Sequence, residues 1–433
     1  MNVAVKITLW GKEVAAVIWD AARGFATIEF FESFSESGWD ISPILMPSGD
    51  QRRGERQYAF PALRHKTFKG LPGLLADSLP DDYGTSVIDE WFAARGKLVS
   101  ITPLDRLCYI GKRGMGALEY EPSTKIPGLD DSSQVEIEEL ALLAKEILDQ
   151  RGHFSANFKK ANSPFLDILR VGTSAGGAKP KAIIAINDST GEVRSGRVRA
   201  PEGFTYWLLK FDGLEGGKVK DNPAGIGRIE YAYHKMALDC GIQMTVCRLL
   251  PEGHNAHFLT KRFDRTDSGE KLHVQTLCAI AHFDRDERYS YEQVFQAMRR
   301  LYLPYPDMEQ MFRRMVFNII ARNQDDHTKN HSFLMTPSGQ WSLAPAYDVC
   351  HAYSPSSQWT NRHQLSINGK RDGFTLDDLL AVAKAADIQN PRIIIDEIDQ
   401  TVSRWKEYAK EAQVAPNHIS LINNSLRLTL PSG

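Results

Sequence analysis

The sequence is poor in cysteine and has no long apolar run. Its five cysteines (Cys108, Cys240, Cys247, Cys278 and Cys350) are scattered and never stand as a C-x-x-C pair. That argues against a disulfide framework and for reduced thiols in a cytosolic protein. No stretch approaches the roughly 18–20 apolar residues that span a bilayer. The opening MNVAVKITLWGKEV alternates as a strand does and lacks the apolar centre of a signal peptide. These absences predict a cytoplasmic protein with no membrane partner. An excess of one charge is also missing: 52 Lys and Arg face 54 Asp and Glu, a formal charge of −2. Nothing global therefore calls for direct nucleic-acid binding. There is no internal repeat and no low-complexity tract.

What remains is an ordinary globular composition, 42% hydrophobic and 24% charged over 433 residues, long enough for two or three structural units. Strand-like alternation covers residues 3–9, 13–19 and 26–31, broken at Gly11 and Gly24. A polar segment leads to GLPGLLADSLPDDYG (70–84) and a helical pattern over 86–95. The Pro-, Gly-, Ser- and Asp-rich stretch 121–133 is the best boundary. Beyond it, Ser133 is placed to cap an amphipathic helix running to about 150, with Ile137, Leu140, Ala141, Ala144 and Leu148 on one face. Strands follow over 166–171, 181–186, 203–211, 246–250 and 257–263, with a helix at 229–239. From about 290 the pattern turns helical, ending in 392–413, and one hairpin (331–335, a TPSGQ turn, 341–344) interrupts it. A strand-rich lobe before a helical lobe is the outline of a kinase.

The strongest chemical signal is NQDDHTKN (323–330), followed by that hairpin and then Tyr347-Asp348-Val349. Phosphoryl transfer needs a carboxylate to orient the acceptor hydroxyl, oxygen ligands for magnesium and positive charge on the phosphates. Kinases set the catalytic Asp and a metal-binding Asn five positions apart in one loop, and Asp325 and Asn330 have that spacing. The hairpin returns the chain to Asp348, where a second metal-binding Asp belongs. Lys329 is a candidate to neutralise the transferred phosphoryl group. The bland alternative for Asp325, Asp326 and Asn330 is a solvated turn at a helix end, which the hairpin and Asp348 disfavour.

GTSAGGAKPK (172–181) is a second signal, since small residues let backbone N–H groups approach phosphates. It is neither a Walker A motif, because Ala178 follows Gly177, nor a G-x-G-x-x-G. The same string satisfies the G-x-S-x-G elbow, which would make Ser174 a hydrolase nucleophile. An elbow runs from strand to helix, however, and Pro180 with the strand-like residues 182–186 favours a hairpin. Lys210, closing an apolar strand, suits the lysine that kinases set on the α/β-phosphates, with Glu230 of the next helix as its partner. Lys261, Arg262 and Phe263 lie where a hinge would offer backbone groups to adenine; an edge strand is the plain alternative. His153, His254 and His257 read as surface or packing residues, Trp341 and Trp359 as structural, and Arg194 to Arg199 as a solvated loop.

Taken together, SAGGAKPK (174–181), KRFDR (261–265), DDHTKN (325–330) and AYDV (346–349) resemble the HipA-type kinase toxins of bacterial toxin–antitoxin modules. The likeness spans nearly the whole chain. It implies an α+β, two-lobed protein-kinase-like fold with a small β-rich amino-terminal subdomain (1–125), a nucleotide-binding lobe (126–263) and a helical catalytic lobe (264–433). It also implies an ATP- and Mg2+-dependent serine/threonine kinase with Asp325 catalytic, Asn330 and Asp348 on magnesium, and Lys210 on phosphate. Ala175, Gly176, Gly177, Ala178, Lys179, Lys181 and His327 would touch the nucleotide. Ser174 matches the residue that the family autophosphorylates, with Thr173 beside it as an alternative; a phosphate there would bring about −1.5 to −2 charges into a loop meant for ATP. The family's characterised targets are aminoacyl-tRNA synthetases, and its usual partner is a small DNA-binding antitoxin. Pro180 departs from the acidic or polar residue common at that point and removes one N–H donor. The rivals are a catalytically weak nucleotide-binding regulator acting through an antitoxin and, more remotely, the Ser174 hydrolase.

Overall fold

The computed structural model describes residues 4–48, 56–80, 84–85, 88–89, 101–125, 129–149, 181–214 and 224–432. The amino-terminal subdomain is an antiparallel sheet of β1 (Val5–Leu9), β2 (Lys12–Asp20), β3 (Phe25–Phe30), β4 (Gln57–Ala59) and β5 (Leu118–Glu121), in the order β4-β3-β2-β1-β5. Alternation places Val5, Ile7 and Leu9 inside, as it does Ala26, Ile28 and Phe30. Trp10 and Gly11 join β1 to β2 with φ of +48° and +77°. Two consecutive positive φ values match the strand twist in a two-residue hairpin, and glycine takes one without strain. Short helices α1 (Glu32–Ser35), α2 (His65–Phe68) and α3 (Gly73–Ala76), then α4 (Pro103–Ile110), cover this sheet.

Helix α5 (Ile137–Asp149) leads into a second antiparallel sheet, order β7-β6-β8-β10-β9, of β6 (Lys181–Ile186), β7 (Val193–Ser195), β8 (Thr205–Lys210), β9 (Cys247–Glu252) and β10 (Asn255–Lys261). Helix α6 (Ile226–Asp239) lies between β8 and β9 in the chain. Ser133 does not cap α5. Its carbonyl accepts from the Ser195 amide and Val135 pairs with Val193, so residues 133–135 run beside β7 and the helix starts later. The two sheets share one apolar core, in which Val14, Ile28 and Leu118 join Ile184 and Leu209. The side of α6 carrying Ile229, Tyr233 and Met236 belongs instead to the core of the helical lobe.

That lobe holds α7 (Leu277–Ala281), α8 (Tyr291–Arg300), α9 (Tyr305–Ile320), α10 (Leu376–Ala385), α11 (Pro391–Ser403), α12 (Trp405–Glu411) and α13 (Pro416–Ser425). The helical stretch expected over 392–413 is divided at Arg404 between α11 and α12. Strands β11 (His273–Thr276), β13 (Ser332–Met335) and β14 (Trp341–Leu343) form a third sheet, and β12 (Tyr289–Ser290) pairs with β15 (Leu365–Ser366). The hairpin read from the sequence is β13–β14. Its third strand, β11, was not foreseen.

The KRFDR segment joins all three parts. Asp264 is fully buried between Arg262 and Arg265. Its carboxylate accepts from Arg262 Nε at 2.8 Å, Arg265 Nη1 at 2.6 Å and the Gly116 amide at 2.8 Å. Arg265 also donates to the Gly114 and Gly116 carbonyls, and Arg262 to the Gly196 carbonyl. Burial would raise the Asp264 carboxyl, but the two guanidinium groups hold it far below the usual carboxylate range. The Arg262 side chain is thus an interior ion-pair partner, and Arg262 also lines the cleft described below. Arg197 is likewise buried and reaches the Arg113 carbonyl, not solvent. Trp359, expected to be structural, is half exposed. Asp264→Ala leaves two interior cations uncompensated, so about 3–5 kcal/mol of stability should be lost. Urea unfolding measures this, and an unchanged midpoint would contradict the interdomain role.

Candidate active site

Lys210 ends β8 with its ammonium hydrogen-bonded to both the Glu230 and the Asp348 carboxylates. Burial works against its charge, and Asp348 and Glu230 overturn that penalty, leaving it well above the ordinary lysine range. The local sequence explains why α6 can present Glu230. A Cβ on Gly227 would lie 2.1 Å from the Ala256 carbonyl oxygen, so only glycine lets the first turn of α6 rest on β10. Buried Asp212, two residues beyond Lys210, accepts from the Gly225 and Ala256 amides at 2.9 and 3.1 Å. Its own amide donates to His257 Nδ1 at 2.9 Å, while His257 Nε2 meets Glu252 at 2.7 Å. His257 is the packing histidine expected, yet it braces the start of α6. Asp212 carried no recognisable pattern in the sequence.

Asp348 approaches Lys210 from the helical lobe. Its backbone is left-handed, φ +52°, an uncommon conformation for a non-glycine residue and often found at functional positions. Neighbouring Tyr347 donates to the Lys329 carbonyl at 2.7 Å and contacts Ser332 Oγ at 2.5 Å, fixing this segment to the 325–330 loop. Burial would raise the Asp348 carboxyl, but Lys210 and Lys181 hold it well below the usual range. Lys181 lies opposite Lys210 in the β6–β8 register.

The loop 325–330 follows α9 through a left-handed turn at Arg322. Asp325 and Asp326 are adjacent and have opposite surroundings. Asp325 keeps about half of its side-chain surface exposed, 49%. Burial raises its carboxyl, His327 and Arg285 partly offset this, and Asp348 and Asp326 reinforce it. Asp326 is fully enclosed and falls below the usual range. His327 Nε2 stands 3.9 Å from Asp325 Oδ1, and burial lowers the imidazole below its ordinary value. Asn330 donates Nδ2 to the Asp325 carbonyl at 2.8 Å, which leaves its amide oxygen available. Asn330 and Asp348 line the same small cavity.

Among the described residues there is no group of three or more His, Cys, Asp or Glu suited to a metal ion. An amide oxygen with one carboxylate is nevertheless the hard, sparse donor set that suits Mg2+, which keeps waters and phosphate oxygens as its other ligands. Next to this set opens a cleft of about 550 Å³, within the range of small-molecule pockets. Leu208, Thr260 and Phe263 line one side, Lys329, Ser332 and Tyr347 another, and Asp77 of the amino-terminal subdomain a third. At the hinge, the Lys261 and Arg262 amides are already bonded to the Val246 and Tyr206 carbonyls, so neither is free for a base. Phe263 packs against Tyr347, ring centres 5.5 Å apart. Lys329 lies in the cleft where its charge acts on Asp77.

Thr173, Ser174, Ala175, Gly176, Gly177, Ala178 and Lys179 lie outside the described residues. So do residues 166–171 and most of 86–95. The chain is already a strand at Lys181, whereas a nucleophile elbow at Ser174 would lead into a helix.

A family model described as the HipA-like C-terminal domain matches residues 173–405, more than half of the chain. The HipA N-terminal domain model matches residues 5–121. The chain belongs to the HipA family. A chain of the Shewanella oneidensis MR-1 toxin–antitoxin complex of HipA, HipB and operator DNA shares its fold, with TM-score 0.65 and 15% identity, covering 97% of this chain and 95% of that one. The two-lobed, kinase-like α+β architecture is therefore that of HipA. A Sinorhizobium fredii (strain NBRC 101917 / NGR234) protein named "Putative kinase Y4dM" is 24% identical over 216 residues, 46% of this chain. The chain spans about half the length of that curated relative, 50%.

The raised Asp325 carboxyl has a consequence for stability. A carboxyl whose folded value lies above its unfolded one stabilises at low pH, and that stabilisation is lost as pH rises through the folded value. Asp325→Asn should therefore melt above wild type at pH 7, and the gap should close as the buffer is brought below about pH 4. Calorimetry in metal-free buffer checks this; a lower melting temperature at pH 7 would refute the assignment.

Proposed function

We propose that this HipA-family protein is an ATP- and magnesium-dependent serine/threonine protein kinase and the toxin of a toxin–antitoxin module. The observation that carries the reading is the meeting of Lys210, Glu230 and Asp348 beside the Asp325–Asn330 loop, with a cleft of nucleoside size alongside. In this reading Lys210, oriented by Glu230, grips phosphate oxygens, and Lys181 adds positive charge. Magnesium, held by Asn330 and Asp348, would neutralise charge on the β- and γ-phosphates. Asp325 orients the acceptor hydroxyl and takes its proton as the oxygen bonds to the γ-phosphorus and the bond to ADP breaks. Lys329 and His327 flank that position, and the Phe263 backbone is the remaining hinge candidate for adenine.

The acceptor is a protein Ser or Thr. A translation component such as an aminoacyl-tRNA synthetase is the proposed target, and Ser174 or Thr173 in the glycine-rich loop the proposed autophosphorylation site. The HipB and operator DNA of the Shewanella complex support a small DNA-binding antitoxin as partner, through which this chain would meet DNA only indirectly. No helix among the described residues is long and apolar enough to cross a membrane, and a cytoplasmic setting is part of the proposal. A weak nucleotide-binding regulator is the alternative if no phosphate is transferred.

Intact mass after incubation with Mg-ATP, with peptide mapping, tests the reading. Phosphate should appear on Ser174 or Thr173 in wild type and be absent from Asp325→Asn and Asp348→Ala. Equal phosphate in wild type and Asp325→Asn would overturn the catalytic assignment.

A further inference from the structure

The second carboxylate of the Asp325–Asp326 pair has no part in the chemistry above, yet it is the better-held of the two. Asp326 is fully buried, as is His363, and its Oδ2 accepts from His363 Nδ1 at 2.9 Å. The same oxygen accepts from the Tyr291 hydroxyl at 3.0 Å, and Oδ1 from the Gln364 amide at 2.8 Å. Tyr291, in the first turn of α8, also accepts from Asn318 Nδ2 at 3.0 Å. Asn318 of α9 in turn receives Asn323 Nδ2 at 2.9 Å. The segment Asn323 to Asp326 is thus tied to α8, to α9 and to the strand entering at Gln364.

The ties continue outward. Arg427 Nη1 lies 3.0 Å from His363 Nε2. A guanidinium can only donate, so Nε2 must offer its lone pair and Nδ1 must carry the proton that Asp326 receives. Arg427 is itself paired with Asp372, and its amide donates to the Ile320 carbonyl at the end of α9. One line of donors therefore runs from segment 426–432, after α13, through His363 to the residue next to Asp325.

We infer that Asp326 is a positioning residue, and that His363 and Arg427 act through it to hold the 325–330 loop and with it Asp325. The inference rests on the kinase reading above. A loop displaced by a fraction of an ångström leaves the Lys210 contact to ATP in place but misplaces Asp325 and, with it, the proposed magnesium ligand Asn330, which is bonded to the Asp325 carbonyl. The defect belongs in turnover and in magnesium-supported affinity, not in the affinity for ATP alone.

Wild type, Asp326→Asn, His363→Leu, His363→Asn and Arg427→Ala are compared by ADP release from Mg-ATP and by calorimetric affinity for ATP without magnesium. His363→Leu and Asp326→Asn should lose about 10- to 100-fold in kcat with the magnesium-free Kd unchanged. His363→Asn, whose amide can restore a donor to Asp326, should recover part of that loss. Amide hydrogen exchange over residues 323–331 reads the same anchor without needing turnover, and should quicken in His363→Leu and in Arg427→Ala. An active wild type whose folded variants keep its kcat overturns the positioning role and leaves the kinase reading standing. Unchanged exchange in His363→Leu overturns it whatever the activity. If wild type releases no ADP yet exchange quickens as expected, the kinase reading fails and the anchor remains.

Discussion

The structure depends on the pairing of one buried cation with two carboxylates. Lys210 comes from the second sheet, Glu230 from α6 and Asp348 from the helical lobe. A lone ammonium in that position would be pushed toward neutrality by burial. The pair of carboxylates keeps it charged, and the three groups together join elements that no local interaction would bring together. Much of the surrounding detail serves to hold them there. Asp212 and His257 fix the start of α6, and Gly227 lets α6 settle onto β10. Tyr347 ties the Asp348 segment to the loop that carries Asp325.

The amino-terminal subdomain is part of the same construction and not an appendage. Its turn at Gly114 and Gly116 receives the buried Arg262–Asp264–Arg265 cluster at the junction of the lobes. Its Asp77 accepts from the Thr276 amide and hydroxyl, and its Gly73 amide donates to His282. The stretch between those two contacts backs onto the segment 325–331, since the Cys278 and Leu277 amides donate to the Thr328 and His331 carbonyls. Contacts on the amino-terminal side therefore help fix the loop on the far side of α7. The subdomain also supplies Asp77 to the wall of the cleft, so it bounds the space in which nucleotide and acceptor would meet.

The residues of the proposed chemistry were legible in the sequence because they stand in short motifs of fixed spacing. Asp325 and Asn330 five positions apart, and Asp348 after a hairpin, could be read without a structure, and so could the pairing of Lys210 with Glu230. Strands β1, β2 and β3 announced themselves by alternation and flanking glycines, and β6 and β8 by short apolar runs. What stayed hidden depends on tertiary partners. Arg197 reads as part of a solvated loop until the carbonyl it reaches is known, and nothing in the KRFDR string announces that Arg262 is enclosed with Asp264. Ser133 has the chemistry of a helix cap, but an edge strand needed its backbone. Asp326 carries no role of its own in the motif, because its partners His363 and Arg427 lie far along the chain.

The most direct test of the account is the affinity for ATP, with and without magnesium, of wild type and of Lys210→Met. The account predicts that wild type binds ATP and binds it more tightly with magnesium, and that Lys210→Met loses most of that affinity while keeping its fold by circular dichroism. Equal affinity in the two proteins would contradict it, because Lys210 would then serve the structure alone and the phosphates would have to be held elsewhere.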